Sequence, residues 1–127
     1  RRDALSGDRW QALLGFAQSY NPQSIWTTSP LDPHCDHRAA HAIARDLAEH
    51  CGAALWSAPV WGRFGERALP ESELRLFEAS ALAERKRCAL AAYRSQFTEL
   101  LADPEAFRMP EPLLAHFAAH PDIFHRG

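Results

Sequence analysis

Four consecutive residues, His34-Cys35-Asp36-His37, bring two imidazoles, a thiol and a carboxylate into one turn of chain. Imidazole binds metals and moves protons near neutral pH, so this is the densest chemistry in the sequence. His41 follows His37 at i+4, the spacing that puts two side chains on one helical face. Several chemistries fit the pattern. A metal gripped by His37 and His41 from one helical face, with His34 third, would activate water for hydrolysis. Cys35, at a helix N-terminus between histidines, would be an activated thiolate nucleophile. In the bland alternative Asp36 caps a helix and both histidines are satisfied at the surface.

The elements that must position these residues are legible on either side. Ser24–Ser29 holds Ile25, Trp26 and two threonines, a strand composition. Leu31–His34, preceded by Pro30 and interrupted by Pro33, is a loop. Asp36 to about His50 is a helix, capped by Asp36, with Ala40, Ile43, Ala44, Leu47, Ala48 and Cys51 on one buried face and Gly52 ending it. His37 extends that row and should point toward the sheet. Ala53–Val60 is a second buried strand, so the three elements form a βαβ unit. Its strand-to-helix junction is where open α/β sheets bind ligands. The expected architecture is α/β, a Rossmann-like layered fold with a mostly parallel sheet, as one partial domain over residues 1–127.

The rest of the chain is less patterned. Asp8–Tyr20 is a helix with Trp10, Leu13, Leu14 and Ala17 on one stripe, ended by Asn21-Pro22. Trp61–Pro70 is a loop. Propensity makes Glu71–Asp103 one long helix, although Leu74 and Leu76 alternate with charges as in a half-exposed strand. From Pro104 the chain wraps the surface, with one short helix over Leu113–Ala118.

Composition narrows the class. With 14 Lys and Arg against 16 Asp and Glu, the formal charge is −2, and no basic field argues for nucleic acid. No apolar run approaches a membrane span. Three cysteines without a C-x-x-C spacing argue against a disulfide framework and favour a reducing cytoplasm. There is no Gly-rich phosphate loop and no Gly-x-Ser-x-Gly.

At these residues the sequence resembles the PIG-L/LmbE-like family of zinc-dependent N-acetylglucosamine-type deacetylases. Ser29-Pro30-Leu31-Asp32-Pro33-His34-Cys35-Asp36-His37-Arg38-Ala39-Ala40 resembles the family's Asp-x-His-Pro-Asp-His-Arg-Ala block, with Cys35 in place of proline. The strand Ala54–Pro59 follows where the family has one. Lys86-Arg87-Cys88-Ala89-Leu90-Ala91-Ala92-Tyr93-Arg94-Ser95-Gln96 resembles its helix ending in Ser-Gln. The comparison also favours a strand at Leu74–Glu78 and a helix from about Ala81 to Ser95.

The resemblance implies that His37 binds Zn²⁺, that His34 polarises the substrate carbonyl or protonates the leaving amine, and that Asp36 orients His34. The substrate class it implies is an N-acetylated sugar or related amide. The family's Ala-His-Pro-Asp-Asp-Glu block, which brings the other zinc ligands and the general base, is absent. Ala119-His120-Pro121-Asp122 imitates it at the wrong end, with Ile123 where the ligating aspartate would stand, and reads as a decoy. These residues are therefore expected to be the C-terminal portion of such a domain, inactive alone, with the remaining ligands in an N-terminal half. The competing expectations are a non-catalytic sugar- or partner-binding domain and a local His34/His37/His41 metal site. Substrate-binding residues and quaternary structure are left open, a homo-oligomer among the options.

Overall fold

The computed structural model describes residues 7–64, 73–78, 80–94 and 109–127. The Ser95-Gln96 pair, most of the Trp61–Pro70 loop and the stretch around Pro104 lie outside them. The chain divides into two compact units, Arg1–Arg75 with Ile123–Gly127, and Leu76–Asp122.

In the first unit, helix α1 (Gly7–Tyr20) leads to strand β1 (Ser24–Thr28), helix α2 (Cys35–Cys51) and strand β2 (Ala54–Ala58). β1 and β2 pair in parallel from Ser24↔Ala54 to Thr28↔Ala58, so the expected βαβ unit is present. Gly52 ends α2 at φ 64°, and its N–H reaches the carbonyls of Ala48 and Glu49. A side chain rarely tolerates that φ, which is why glycine stands there.

Strand β3 (Leu74–Phe77) and strand β4 (Asp122–Arg126) complete a four-stranded open sheet in the order β1-β2-β4-β3. The mostly parallel sheet expected from sequence is corrected here. β4 runs antiparallel to β2, with Trp56↔Arg126 and Ser57↔His125 in register, and the sheet is mixed. Asp122-Ile-Phe-His-Arg126, bounded by Pro121 and Gly127, is a short strand where a surface wrap was expected. The single long helix that propensity favours is also overturned. Leu74–Phe77 is a strand, and after a 3₁₀ turn at Ser80–Leu82 helix α3 covers only Ala83–Ala92. Sheet pairing outweighs intrinsic helix preference of a few tenths of a kcal/mol per residue.

The apolar core is small. Ala44 and Ala48 of α2 meet Leu55 of β2, with Ile25 of β1 packed beside them. α1 packs on α2, Trp10 standing edge-on to His50, and Ala17 is buried on its inner stripe. Ala40, expected on the buried face of α2, is exposed, and half-buried His41 lies on the inner side instead. On the sheet's other face Trp26 stacks on Trp56 and meets Phe124 edge-on, with Trp26 largely exposed.

In the second unit, α3 is joined by helix α4 (Glu111–Ala119), close to the expected Leu113–Ala118. Among the described residues no helix is long and apolar enough to cross a membrane.

Candidate functional site

The most completely buried side chains of the described residues are polar: Asp32, Ser29 and Ser57. A buried polar group demands a hydrogen-bonding partner, so their surroundings locate the built part of the molecule. All three lie at or just past the carboxyl ends of β1 and β2.

The loop after β1 begins by extending the ladder, Ser29 N–H donating to the Ala58 carbonyl at 3.0 Å. It then folds as a β-turn with Pro30 at its second position, the Asp32 N–H donating to the Ser29 carbonyl at 3.2 Å. Ser29 Oγ accepts the Leu31 N–H at 3.2 Å and lies 3.0 Å from His125 Nε2. This turn aims the Asp32 carboxylate inward, to the loop that follows β2.

Asp32 is 1 % exposed and its carboxylate is saturated with donors. It accepts the Val60 N–H at 3.2 Å, the Gly62 N–H at 2.6 Å and His37 Nδ1 at 2.7 Å. A Cβ on Gly62 would lie 3.0 Å from Asp32 Oδ1, so the backbone approaches this closely because residue 62 is glycine. An ionised carboxylate only accepts, so the shared proton sits on His37 Nδ1, and in the neutral ring Nε2 keeps its lone pair. Strand β1 also ties down the first turn of α2, because Thr28 Oγ1 donates to the His37 backbone carbonyl at 2.9 Å.

His34 is the N-cap of α2, and its Nδ1 accepts the Asp36 backbone N–H at 3.2 Å. The proton of a neutral His34 is therefore on Nε2, which makes that atom a donor. The His34 and His37 ring centroids are 5.1 Å apart. Asp36 was expected to cap the helix, and that expectation is corrected. His34 takes the cap because its imidazole reaches the same orphan amide, and Asp36 sits in the first turn, where its charge favours the helix N-terminus. Its carboxylate is highly exposed and 4.0 Å from His34 Nδ1, so the Asp36 backbone, not its side chain, makes the hydrogen bond to His34.

His41 is drawn inward. Its Nδ1 lies 3.2 Å from both the Thr28 carbonyl and Ser57 Oγ. Burial holds the His41 imidazole below its ordinary pKa, partly offset by the Thr28 carbonyl, with His125 and Arg45 adding to the depression. His125 is depressed in the same way, by burial first, against the favourable Arg126 backbone, Glu73 and Asp32.

The structure thus brings His34, His37 and Asp32 together around one loop. Among the described residues, the one set of three potential ligand side chains with atoms within 4.8 Å of one another is His34, Cys35 and Asp36, all exposed. His41 is not part of it. His120 and Asp122, in the other unit, are occupied with the end of α4 and with Lys86. Asp32, Ser29, Ser57 and His125 were not singled out from sequence. The signal for Asp32 was present in the Ser-Pro-Leu-Asp turn and in Gly62, but their partnership spans 30 residues.

No protein-family model, no curated protein and no solved structure matches this chain.

Proposed function

We propose that this chain supplies one zinc ligand, His37, and one oxyanion donor, His34, to a metal-dependent amide hydrolase acting on an N-acetylated sugar or related amide. The observation that carries the proposal is the 2.7 Å contact between His37 Nδ1 and the fully buried Asp32 carboxylate. Metal-binding histidines characteristically hold their second nitrogen on a carboxylate or carbonyl, which fixes the ring and raises its basicity. His37 fits one position of such a site. A catalytic zinc takes three protein ligands, and the proposal assigns the other two to an upstream segment of the kind that carries Ala-His-Pro-Asp-Asp-Glu.

When bound, zinc supplies an acidified water and polarises the amide oxygen. His34 Nε2–H donates to the oxygen that gains charge as the amide carbon becomes tetrahedral. Asp32 keeps the His37 ring from turning. His41, with Nδ1 engaged by Thr28 and Ser57, supports the sheet end in this reading and is not a ligand.

Zinc analysis and deacetylation assays on the complete protein test this. His37→Ala should lose the metal, and His34→Ala should keep it while losing roughly 10²–10³ in rate. Asp36→Ala should leave zinc content unchanged and cost far less activity, because its carboxylate is solvated. Equal zinc in His37→Ala and wild type would overturn the assignment.

A further inference from the structure

The buried contact between Ser29 and His125 joins the turn after β1 to strand β4, 96 residues away along the chain, within the first unit. We propose that His125 is a positioning residue that locks the Ser29–Asp32 turn onto β4, so that the placement of Asp32, and through it of His37, depends on the C-terminal strand. The proposal rests on the reading of that loop as a site only for its consequence; the lock itself is a property of the fold.

Four observations converge on it. Ser29 has no solvent exposure and His125 is 5 % exposed, so water cannot replace either partner. Ser29 is the hub of the turn, meeting Ala58, Leu31 and Asp32 through its own N–H, Oγ and carbonyl. His125 is fixed independently, because it is in register with Ser57 on β2. The Ser29 hydroxyl lies 3.0 Å from His125 Nε2, within hydrogen-bond reach, and also accepts the Leu31 N–H at 3.2 Å. Removing the imidazole strands that hydroxyl in a dry site and frees the turn.

The test is amide hydrogen exchange on this chain, which needs neither metal nor substrate and so fails or succeeds separately from the hydrolase reading. His125→Phe keeps the ring volume on β4 but offers no acceptor. It should speed exchange at Leu31 and Asp32 about tenfold, the worth of one buried hydrogen bond, relative to Ile25 and Leu47. His125→Gln, with polar atoms near the position of Nε2, should recover most of that protection. A double-mutant cycle guards against general loosening: Ser29→Ala with His125→Phe should be little worse than either alone. Long-range ring spectra should show the His37 Nδ1 proton weakening in His125→Phe and returning in His125→Gln. Exchange that rises no more in the turn than in the core, effects that add in the double variant, or a Gln variant as loose as Phe would each overturn the proposal.

Discussion

Two stretches of this chain carry nearly the same letters and do opposite things with them. At the amino end of α2, His34-Cys35-Asp36-His37 follows Asp32; at the carboxyl end of α4, His120-Pro121-Asp122 follows His116. In the first, the carboxylate that matters is fully buried, takes two backbone amides and holds one nitrogen of His37. In the second, His120 Nδ1 donates to the His116 carbonyl one turn back, the two rings stack, and Asp122 pairs with Lys86 at a partly exposed position. One imidazole is fixed by a desolvated anion, and the other merely finishes a helix. What separates the two stretches is whether a ring nitrogen is engaged by a group that water cannot replace.

The largest effect should come from removing that anion. Asp32→Ala leaves the Val60 and Gly62 amides and His37 Nδ1 without their acceptor in a dry pocket. Losing one member of a buried, hydrogen-bonded ionic group costs about 3–5 kcal/mol. An unfolding free energy, from urea titration, that falls by less than a third of this would show that the Asp32 pocket is solvated after all, and the contrast would collapse. Gly62→Ala comes next. Its Cβ meets Asp32 Oδ1 at 3.0 Å and the Leu31 backbone at 3.3 Å, atoms with little room to retreat. Overpacking of this kind costs roughly 1–3 kcal/mol, and the same variant should disturb the His37 ring signal.

These effects explain what could and could not be seen in the sequence. The strand-helix-strand frame is written locally, in a β-branched run, a 3.6-residue stripe and a terminal glycine, and the observed bounds of α2 differ from expectation by one residue at each end. His37 was legible for the same reason, since its row on α2 faces inward. Asp32 was not, because nothing within the Pro30–His34 loop says that its partners are Val60 and Gly62. His125 was invisible for a related reason: a five-residue strand directly after Pro121 has no period long enough to show itself, and its pairing is antiparallel to a distant strand. The cap of α2 went to His34 because consensus ranks side-chain oxygens, whereas geometry put an imidazole nitrogen in reach.

Acid should separate the two regions next. Burial lowers the pKa of His41 and His125 below 6.5, so below that pH the unfolded chain binds more protons than the folded one. Stability from these two groups is complete above about pH 6.5 and is lost as pH falls through and below it. Urea midpoints from about pH 7.5 to about pH 5 should therefore decline, and His125→Phe should flatten part of the slope. A midpoint that rises over this range would contradict the burial of both rings.

The smallest effect should be at Asp122. Its pair with Lys86 is 2.8 Å long, but the two side chains are 43 % and 27 % exposed, so water competes for both charges. Lys86 also donates to the His120 carbonyl at 3.1 Å, and that bond survives when the carboxylate is removed. An exposed pair of this kind contributes about 0–1 kcal/mol, less once salt screens it. Asp122→Asn should therefore shift the urea midpoint only slightly at low ionic strength and not measurably in about 1 M salt. Asp32→Ala should keep nearly its full cost in the same salt, because no ion reaches a carboxylate enclosed by two loops. If the Asp122 substitution proved as costly and as salt-insensitive as the Asp32 one, burial would not be what distinguishes the two His-Asp stretches, and the case for a prepared site at His37 would lose its physical basis.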